Sequence, residues 1–128
     1  MWRVLLVEDH RFFSEALEIL LGRHLSEGRA APAEFRLAAT MGDGLWLAEE
    51  EGPFDLAVVD LMLPDGDGTD VVRELKAAHP RTRVAVLSAA PDLSGALSAG
   101  ADEAIPKCLP LAEILAILAR LAEHERAA

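Results

Sequence analysis

With 128 residues, 52% of them hydrophobic, the chain is long enough for one domain with a packed core and short for two. Its formal net charge of −10 argues against a nucleic-acid interface, because binding a phosphate backbone requires clusters of Lys and Arg. One cysteine excludes an internal disulfide, and no apolar run reaches the roughly 18–20 residues that cross a bilayer. We therefore expect a single cytoplasmic domain over residues 1–128 that contacts neither membrane nor nucleic acid directly.

Short apolar runs alternate with amphipathic segments along the chain. The three strongest runs are four residues long and mostly branched, which is typical of strands buried on both faces of a parallel sheet. They cover residues 4–7 (VLLV), 56–59 (LAVV) and 84–87 (VAVL). Weaker strands are predicted at residues 35–40 and 103–105.

Five helices are predicted between and after these strands. Apolar residues at i, i+3, i+4 and i+7 mark the first and the last most clearly. The predicted helices cover residues 13–21, 44–51, 71–75, 92–99 and 111–121, and the fourth is the weakest. Because right-handed crossovers return each helix onto the sheet, this alternation predicts an α/β fold, a doubly wound five-stranded parallel sheet with helices on both faces.

Polar residues follow the strong strands at their carboxyl ends. They are Glu8 and Asp9 after the first strand, Asp60 after the third, Ser88 after the fourth and Lys107 after the fifth. These ends share one edge of an open parallel sheet, where ligands bind. Three carboxylates in one pocket must hold protons or bind a cation, and all-oxygen ligation favours Mg²⁺, Mn²⁺ or Ca²⁺ over zinc. A hydroxyl and an ammonium beside such a cation suit a phosphoryl group.

Four segments carry a family resemblance: VLLVEDH (4–10), VVDLMLPDGDG (58–68), VLSAA (86–90) and GADEAIPKCLP (100–110). Together they resemble the bacterial two-component response-regulator receiver domain. The resemblance implies a flavodoxin-like, CheY-like (βα)5 fold with strand order 2-1-3-4-5. The segments VEDHRFF and IPK are most similar to the NarL/LuxR-type branch, whose members usually carry a DNA-binding effector domain; no effector domain is expected within this chain.

The resemblance also assigns roles to individual residues. It implies that Asp60 is the phosphoacceptor for a phosphoryl group delivered by a histidine kinase's phosphohistidine. Mg²⁺, or Mn²⁺ in its place, would be bound by Asp60, by Asp9, by Glu8 through a water, and by the backbone carbonyl of Met62. Ser88 and Lys107 would contact the phosphoryl group. The chain would then be a switch and not an enzyme, apart from catalysing its own phosphorylation and dephosphorylation.

The expected partners are a sensor histidine kinase or phosphotransfer protein and an unidentified downstream effector, and a homodimer is left open. Two departures from the family pattern concern the signalling surface. Ala104 occupies a position where the family usually has an aromatic residue, and the span from Ser88 to Lys107 is about one helical turn short, which predicts a truncated or partly unwound fourth helix. They leave a second hypothesis open: a degenerate receiver that serves as a docking or dimerisation module without phosphorylation. Met62 and Ala90, which lack a water-orienting side chain, predict slow self-hydrolysis.

Residues 65–69 (DGDGT) also match the signature of haloacid-dehalogenase-type phosphatases. In that family the first Asp directly ends a buried strand, whereas here Pro64 precedes Asp65 and the predicted strand has already ended. Residues 63–74 imitate a calcium-binding loop in a similar way, but its first ligand position is Leu63, which has no side-chain oxygen. The simpler interpretation of this segment is a glycine-rich turn that leads into an acidic helix start.

Overall fold

Twelve helices and strands make up the part of the chain that the structure, a computed structural model, describes: residues 2–27, 33–89 and 94–127, with side chains as far as residue 123. The strands are β1 (Arg3–Val7), β2 (Glu34–Ala38), β3 (Leu56–Asp60), β4 (Met62–Leu63), β5 (Gly66–Asp67), β6 (Arg83–Ser88) and β7 (Glu103–Pro106). The helices are α1 (Arg11–Ser26), α2 (Met41–Glu50), α3 (Thr69–Ala78), α4 (Ser94–Ser98) and α5 (Leu111–Ala127).

Five of the strands form one parallel sheet in the order β2-β1-β3-β6-β7. Counted without the short β4–β5 pair, this is the predicted order 2-1-3-4-5, so the predicted fold is confirmed. In register, Val7 lies opposite Val59, and Asp60 lies opposite Leu87. The carboxyl ends of β1, β3 and β6 therefore meet at one edge. The sequence did not predict the antiparallel hairpin of β4 and β5.

The sheet is covered on both faces because successive residues of each strand point to opposite sides. In β1, Val4 and Leu6 belong to the apolar cluster beneath α1 and α5, whereas Leu5 and Val7 belong to the cluster beneath α2, α3 and α4. Burying one such side chain contributes about 1.5–3 kcal/mol. The helices contribute Leu17, Leu21, Leu25, Ile114 and Leu118 to the first cluster, and Leu47, Ala48, Val71, Val72, Leu75 and Ala96 to the second.

The element boundaries differ from the predicted ones mainly at loops. Helix α2 begins at Met41, earlier than predicted, because the Thr40 hydroxyl accepts a hydrogen bond from the Asp43 N–H at 3.1 Å and caps the first turn. Helix α4 covers Ser94–Ser98 of the predicted 92–99, and residues 90–93 lie outside the described part. No helix within the described ranges combines the length and the apolar character needed to span a membrane.

Candidate functional site

The predicted polar residues meet at the carboxyl edge of the sheet. Lys107 Nζ lies 3.0 Å from Asp60 Oδ2 and 3.0 Å from Glu8 Oε1, although 47 and 99 residues separate the partners along the chain. Glu8 is 6% exposed and Asp60 only 2%, whereas Asp9 is an exposed residue. The parallel topology therefore brings acids from the ends of β1 and β3 and the ammonium that follows β7 into one cluster.

Strand pairing fixes the backbone on which these side chains stand. Asp60 ends β3 opposite Leu87 of β6, so that Ser88, which is buried, follows directly on the neighbouring strand. The N–H of Lys107 donates to the Ser88 carbonyl at 2.9 Å and extends the pairing of β6 and β7 by one residue. Ser88 at the end of β6 and Lys107 directly after β7 are thus held side by side, next to the phosphoacceptor candidate.

Lys107 is the cation of the cluster, and its side chain is mostly buried. Burial alone lowers the pKa of Lys107, but its hydrogen bonds to Glu8 and Asp60 outweigh that effect and raise the pKa above the ordinary value. The ring of Phe13 adds a cation–π contact, with its centroid 5.1 Å from Nζ. The ammonium is therefore firmly protonated at neutral pH.

Two further side chains, those of His10 and Phe13, contact the cluster. The structure shows a side chain of His10 that is exposed and yet lies close to the cluster: Nδ1 is 2.8 Å from Glu8 Oε1 and 2.9 Å from Lys107 Nζ. One ring nitrogen cannot donate to a carboxylate and accept from an ammonium at the same time, so these contacts alternate with the tautomer. In the sequence, His10 directly follows Glu8 and Asp9, whereas Phe13 lies four residues after Asp9.

The cluster fits a hard divalent cation. One oxygen each from Glu8, Asp9 and Asp60 and a ring nitrogen of His10 lie within 4.8 Å of one another. At that distance and an effective dielectric of 20, two carboxylates repel by about 3.5 kcal/mol. Three carboxylates and the ammonium of Lys107 leave a formal charge of −2. Among the described residues, the buried Glu8 Oε2 has no hydrogen bond of good geometry and only an ion-pair contact with Lys107 Nζ, at 3.0 Å. An oxygen-rich site of this charge suits Mg²⁺ or Mn²⁺.

The segment after Asp60 folds back close to it. The N–H of Met62 donates to Asp60 Oδ1 at 3.0 Å, so the two carboxylate oxygens of Asp60 are hydrogen-bonded by different partners, Met62 on one side and Lys107 on the other. Gly68 packs against the same residue so closely that a Cβ there would overlap the Asp60 carbonyl oxygen. The carboxylate is therefore held in a defined orientation before any reaction.

The acids of the DGDGT segment have other partners. Asp65 lies in the turn between β4 and β5 and accepts hydrogen bonds from the N–H groups of Met41 and Gly42 in α2. Asp67 accepts one from the Thr69 N–H at the start of α3. Neither belongs to the cluster around Asp60. This arrangement matches the simpler interpretation of the segment, a turn followed by an acidic helix start.

Ala104, Ala90 and Met62 are the positions on which the predicted departures in signalling and self-hydrolysis depend. Ala104 sits in β7 opposite Val86, partly buried against the apolar cluster beneath α2, α3 and α4. Ala90, the second residue on which the prediction of slow self-hydrolysis depends, lies outside the described residues. Met62, the first of them, has a side chain that is 62% exposed.

Comparison with known proteins gives consistent matches along the chain. The sequence profile described as the response regulator receiver domain matches residues 4–119. The response regulator protein PilR of Pseudomonas aeruginosa is 36% identical over 120 residues, which is 91% of this chain and 25% of PilR. The chain thus spans about a quarter of PilR and at most about half of the other curated relatives.

Solved structures agree with the sequence matches. The receiver domain protein (CheY-like) from Methanospirillum hungatei superposes with a TM-score of 0.82 at 26% identity, covering 99% of this chain and 98% of that one. A response regulator protein from Burkholderia pseudomallei, whose structure contains a phosphorylated aspartic acid, a calcium ion and citrate, has a TM-score of 0.75 at 27% identity. This match covers 99% of the present chain and 72% of the Burkholderia pseudomallei chain.

Proposed function

Because the chain belongs to the family of response regulator receiver domains, we propose that it accepts a phosphoryl group on Asp60 from the phosphohistidine of a sensor histidine kinase or a phosphotransfer protein. One observation carries this proposal: the buried Asp60 carboxylate is hydrogen-bonded by Lys107 and by the Met62 N–H, beside Glu8 and Asp9. The phosphorylated aspartic acid in the Burkholderia pseudomallei regulator supports the same chemistry on this fold.

In the proposed reaction a carboxylate oxygen of Asp60 attacks phosphorus in line with the donor imidazole. A P–O bond forms, the P–N bond breaks, and its electron pair leaves with the imidazole nitrogen. Lys107 then pairs with the phosphoryl oxygens, and the Ser88 hydroxyl donates a hydrogen bond to one of them. Such a transfer depends mostly on positioning and on stabilising charge, which the fixed orientation of Asp60 provides.

We assign the cation site of this reaction to Asp60, Asp9, Glu8 (through a water) and the Met62 carbonyl, with Mg²⁺ as the cofactor and Mn²⁺ as a substitute. When bound, the cation neutralises negative charge on the transferring group and on the aspartyl phosphate, whose charge of about −1.5 to −2 replaces the single negative charge of the Asp60 carboxylate. The formal charge of −2 on the cluster, whose acids Lys107 balances only in part, supports this assignment.

Further features of the proposal rest on sequence alone. The chain is one receiver domain over residues 1–128, it acts in the cytoplasm, and it catalyses nothing beyond its own phosphorylation and dephosphorylation. Membership of the NarL/LuxR-type branch rests on the segments VEDHRFF (7–13) and IPK (105–107). The shortened span between Ser88 and Lys107 supports an atypical fourth helix. The downstream effector, and a second copy of the chain if a homodimer forms, are proposed to bind the surface around that helix.

A second candidate function is a degenerate receiver that docks or dimerises without being phosphorylated. The observation in its favour is Ala104, which stands where the family usually has an aromatic residue. No large side chain is therefore present at this position to move inward together with the hydroxyl residue, Ser88. This candidate keeps the same fold and removes the chemistry at Asp60.

The two candidates are separated by incubating the purified chain with acetyl phosphate and Mg²⁺ and measuring intact mass. We expect the gain of one phosphoryl group that hydroxylamine removes, no gain with excess EDTA, and none in Asp60→Asn. Asp70→Asn, which alters an exposed acid paired with Arg73 on α3, should behave like the wild type. A wild-type chain that gains no phosphate would contradict the phosphoacceptor proposal and favour the docking module.

A further inference from the structure

The β4–β5 hairpin is tied to the start of α2 by a single side chain. Asp65 Oδ1 accepts a hydrogen bond from the Met41 N–H at 2.7 Å, and Oδ2 accepts one from the Gly42 N–H at 3.0 Å. These partners lie 24 and 23 residues away in the sequence. The next N–H of α2, that of Asp43, is capped by Thr40. The carboxylate thus completes the capping of a helix that belongs to a different part of the chain.

The other end of the same hairpin contacts the proposed phosphoacceptor. Met62 pairs with Asp67 in the hairpin, and its N–H donates to Asp60 Oδ1. Between these two ends the hairpin meets α2 again, since a Cβ at Gly66 would lie 2.8 Å from the flexible end of the Met41 side chain. A short path therefore connects α2 with the Asp60 carboxylate through Asp65 and Met62.

From this connection we propose that Asp65 is a positioning residue for phosphoryl transfer: it anchors the hairpin to α2 and so fixes the Met62 backbone against Asp60. This inference rests on the proposed function of Asp60. Met62 contributes in two ways, since its N–H orients the carboxylate and its carbonyl is assigned to the cation site. A hairpin released from α2 would loosen both contacts without removing any group that touches the phosphoryl donor.

The chemistry of the contact calls for a carboxylate at position 65. The hydrogen bonds from the Gly42 and Met41 N–H groups lower the pKa of Asp65, so it is ionised at neutral pH and accepts through both oxygens. An asparagine has one acceptor oxygen, and its NH₂ group would face an N–H donor of α2. Asp65→Asn therefore keeps one of the two hydrogen bonds, and Asp65→Ala keeps neither.

Asp67 offers a matched control. It is an acid of the same hairpin that also accepts a hydrogen bond from a helix N–H, that of Thr69 at 2.9 Å, but this contact is local and does not reach α2. The rate of phosphorylation by acetyl phosphate at saturating Mg²⁺ and the ¹H–¹⁵N signal of Met62 are measured in Asp65→Asn, Asp65→Ala and Asp67→Ala. Thermal unfolding of each variant shows that it is folded at the assay temperature.

We expect Asp65→Ala to slow phosphorylation by roughly ten- to a hundredfold and to shift the Met62 amide signal, with Asp65→Asn intermediate and Asp67→Ala near the wild type. A wild-type rate in Asp65→Ala, or equal slowing in Asp67→Ala, overturns the inference. Absence of phosphorylation in the wild type contradicts the proposed function of Asp60 instead. The anchoring of the hairpin by Asp65 is then tested by the Met62 amide signal alone, and an unchanged signal in Asp65→Ala overturns the anchoring.

Discussion

The ammonium nitrogen of Lys107 lies 3.0 Å from Asp60 Oδ2, although Asp60 ends β3 and Lys107 follows β7, two strands that are separated by β6 in the sheet. The same nitrogen lies within 3.0 Å of both carboxylate oxygens of Glu8. Lys107 thus offsets two buried acids at once in a cluster that still has excess negative charge. This arrangement makes the stability of the fold sensitive to any cation at the site.

Lys107→Met is expected to destabilise the chain by about 3 kcal/mol in the presence of EDTA, because it leaves Glu8 and Asp60 buried without a compensating charge. Mg²⁺ should recover a large part of this loss, since a divalent cation among the same carboxylates replaces the missing charge. Urea unfolding with EDTA and with Mg²⁺ measures both effects.

Lys76→Met is the control for this experiment, because Lys76 is the only other lysine of the chain. Its ammonium lies 2.7 Å from Asp102 Oδ2 and donates to the Thr82 carbonyl, away from the acidic cluster. Its destabilisation should be the same with Mg²⁺ and with EDTA. If Mg²⁺ stabilised both variants equally, or neither, Lys107 and the cation would not share a site.

The pH dependence of stability gives a second prediction. Burial lowers the pKa of Lys107, but hydrogen bonds to Glu8 and Asp60 outweigh it, so the pKa is higher in the folded chain than in the unfolded one. The stability contributed by Lys107 is therefore complete below the ordinary lysine pKa of about 10.4 and is lost as the pH rises through the folded value. We expect the difference in unfolding free energy between wild type and Lys107→Met to shrink over that range.

Urea titrations from about pH 9 to about pH 12 measure this difference, and the chain suits the experiment because it has no tyrosine and only two lysines. Lys76→Met, analysed in the same way, separates the contribution of the second lysine. A difference that stays constant or grows as the solution becomes more alkaline would contradict the assigned role of Lys107.

The meeting of Lys107 with Asp60 could be predicted because it follows from topology. A parallel sheet puts every carboxyl strand end on one edge, so polar residues placed after apolar runs converge whatever their separation in sequence. The contact of Asp65 with α2 follows no such rule. It joins one side chain to two N–H groups in the first turn of a distant helix. The sequence around Asp65 suggested only local patterns, a phosphatase signature or a calcium loop. The contact of His10 with Lys107 could not be predicted either, because it depends on the orientation of a single side chain.

Close packing beneath Asp60 gives a third prediction. A Cβ at Gly68 would overlap the Asp60 carbonyl oxygen and lie 2.9 Å from Val59 Cγ1, and backbone cannot move aside cheaply. Gly68→Ala should therefore cost about 1–3 kcal/mol of stability and slow phosphorylation, because the strain falls on the phosphoacceptor itself. Gly95→Ala is the matched control, since its Cβ would meet nothing within 4 Å and alanine favours the helix. Denaturation and phosphorylation assays on the two variants test this, and equal behaviour would contradict it.

The lifetime of the aspartyl phosphate gives the fourth prediction, and it depends on Met62. The N–H of Met62 is held on Asp60 Oδ1, so the side chain at position 62 leaves the backbone next to the carboxylate and points largely to solvent. A thioether is only a weak acceptor and cannot hold a water in line with phosphorus, whereas an asparagine amide both donates and accepts. Met62→Asn should therefore shorten the lifetime by about tenfold, which is less than a true general base achieves because an amide removes no proton.

The decay of the phosphoprotein after removal of acetyl phosphate measures this lifetime. Met62→Leu is the matched control, because it keeps a similar volume without a polar group, and it should decay as slowly as the wild type. If Met62→Asn decayed as slowly as Met62→Leu and the wild type, access of water to the phosphorus would not be governed from position 62. A faster decay in both would instead mean that the thioether shields the phosphoryl group through its shape.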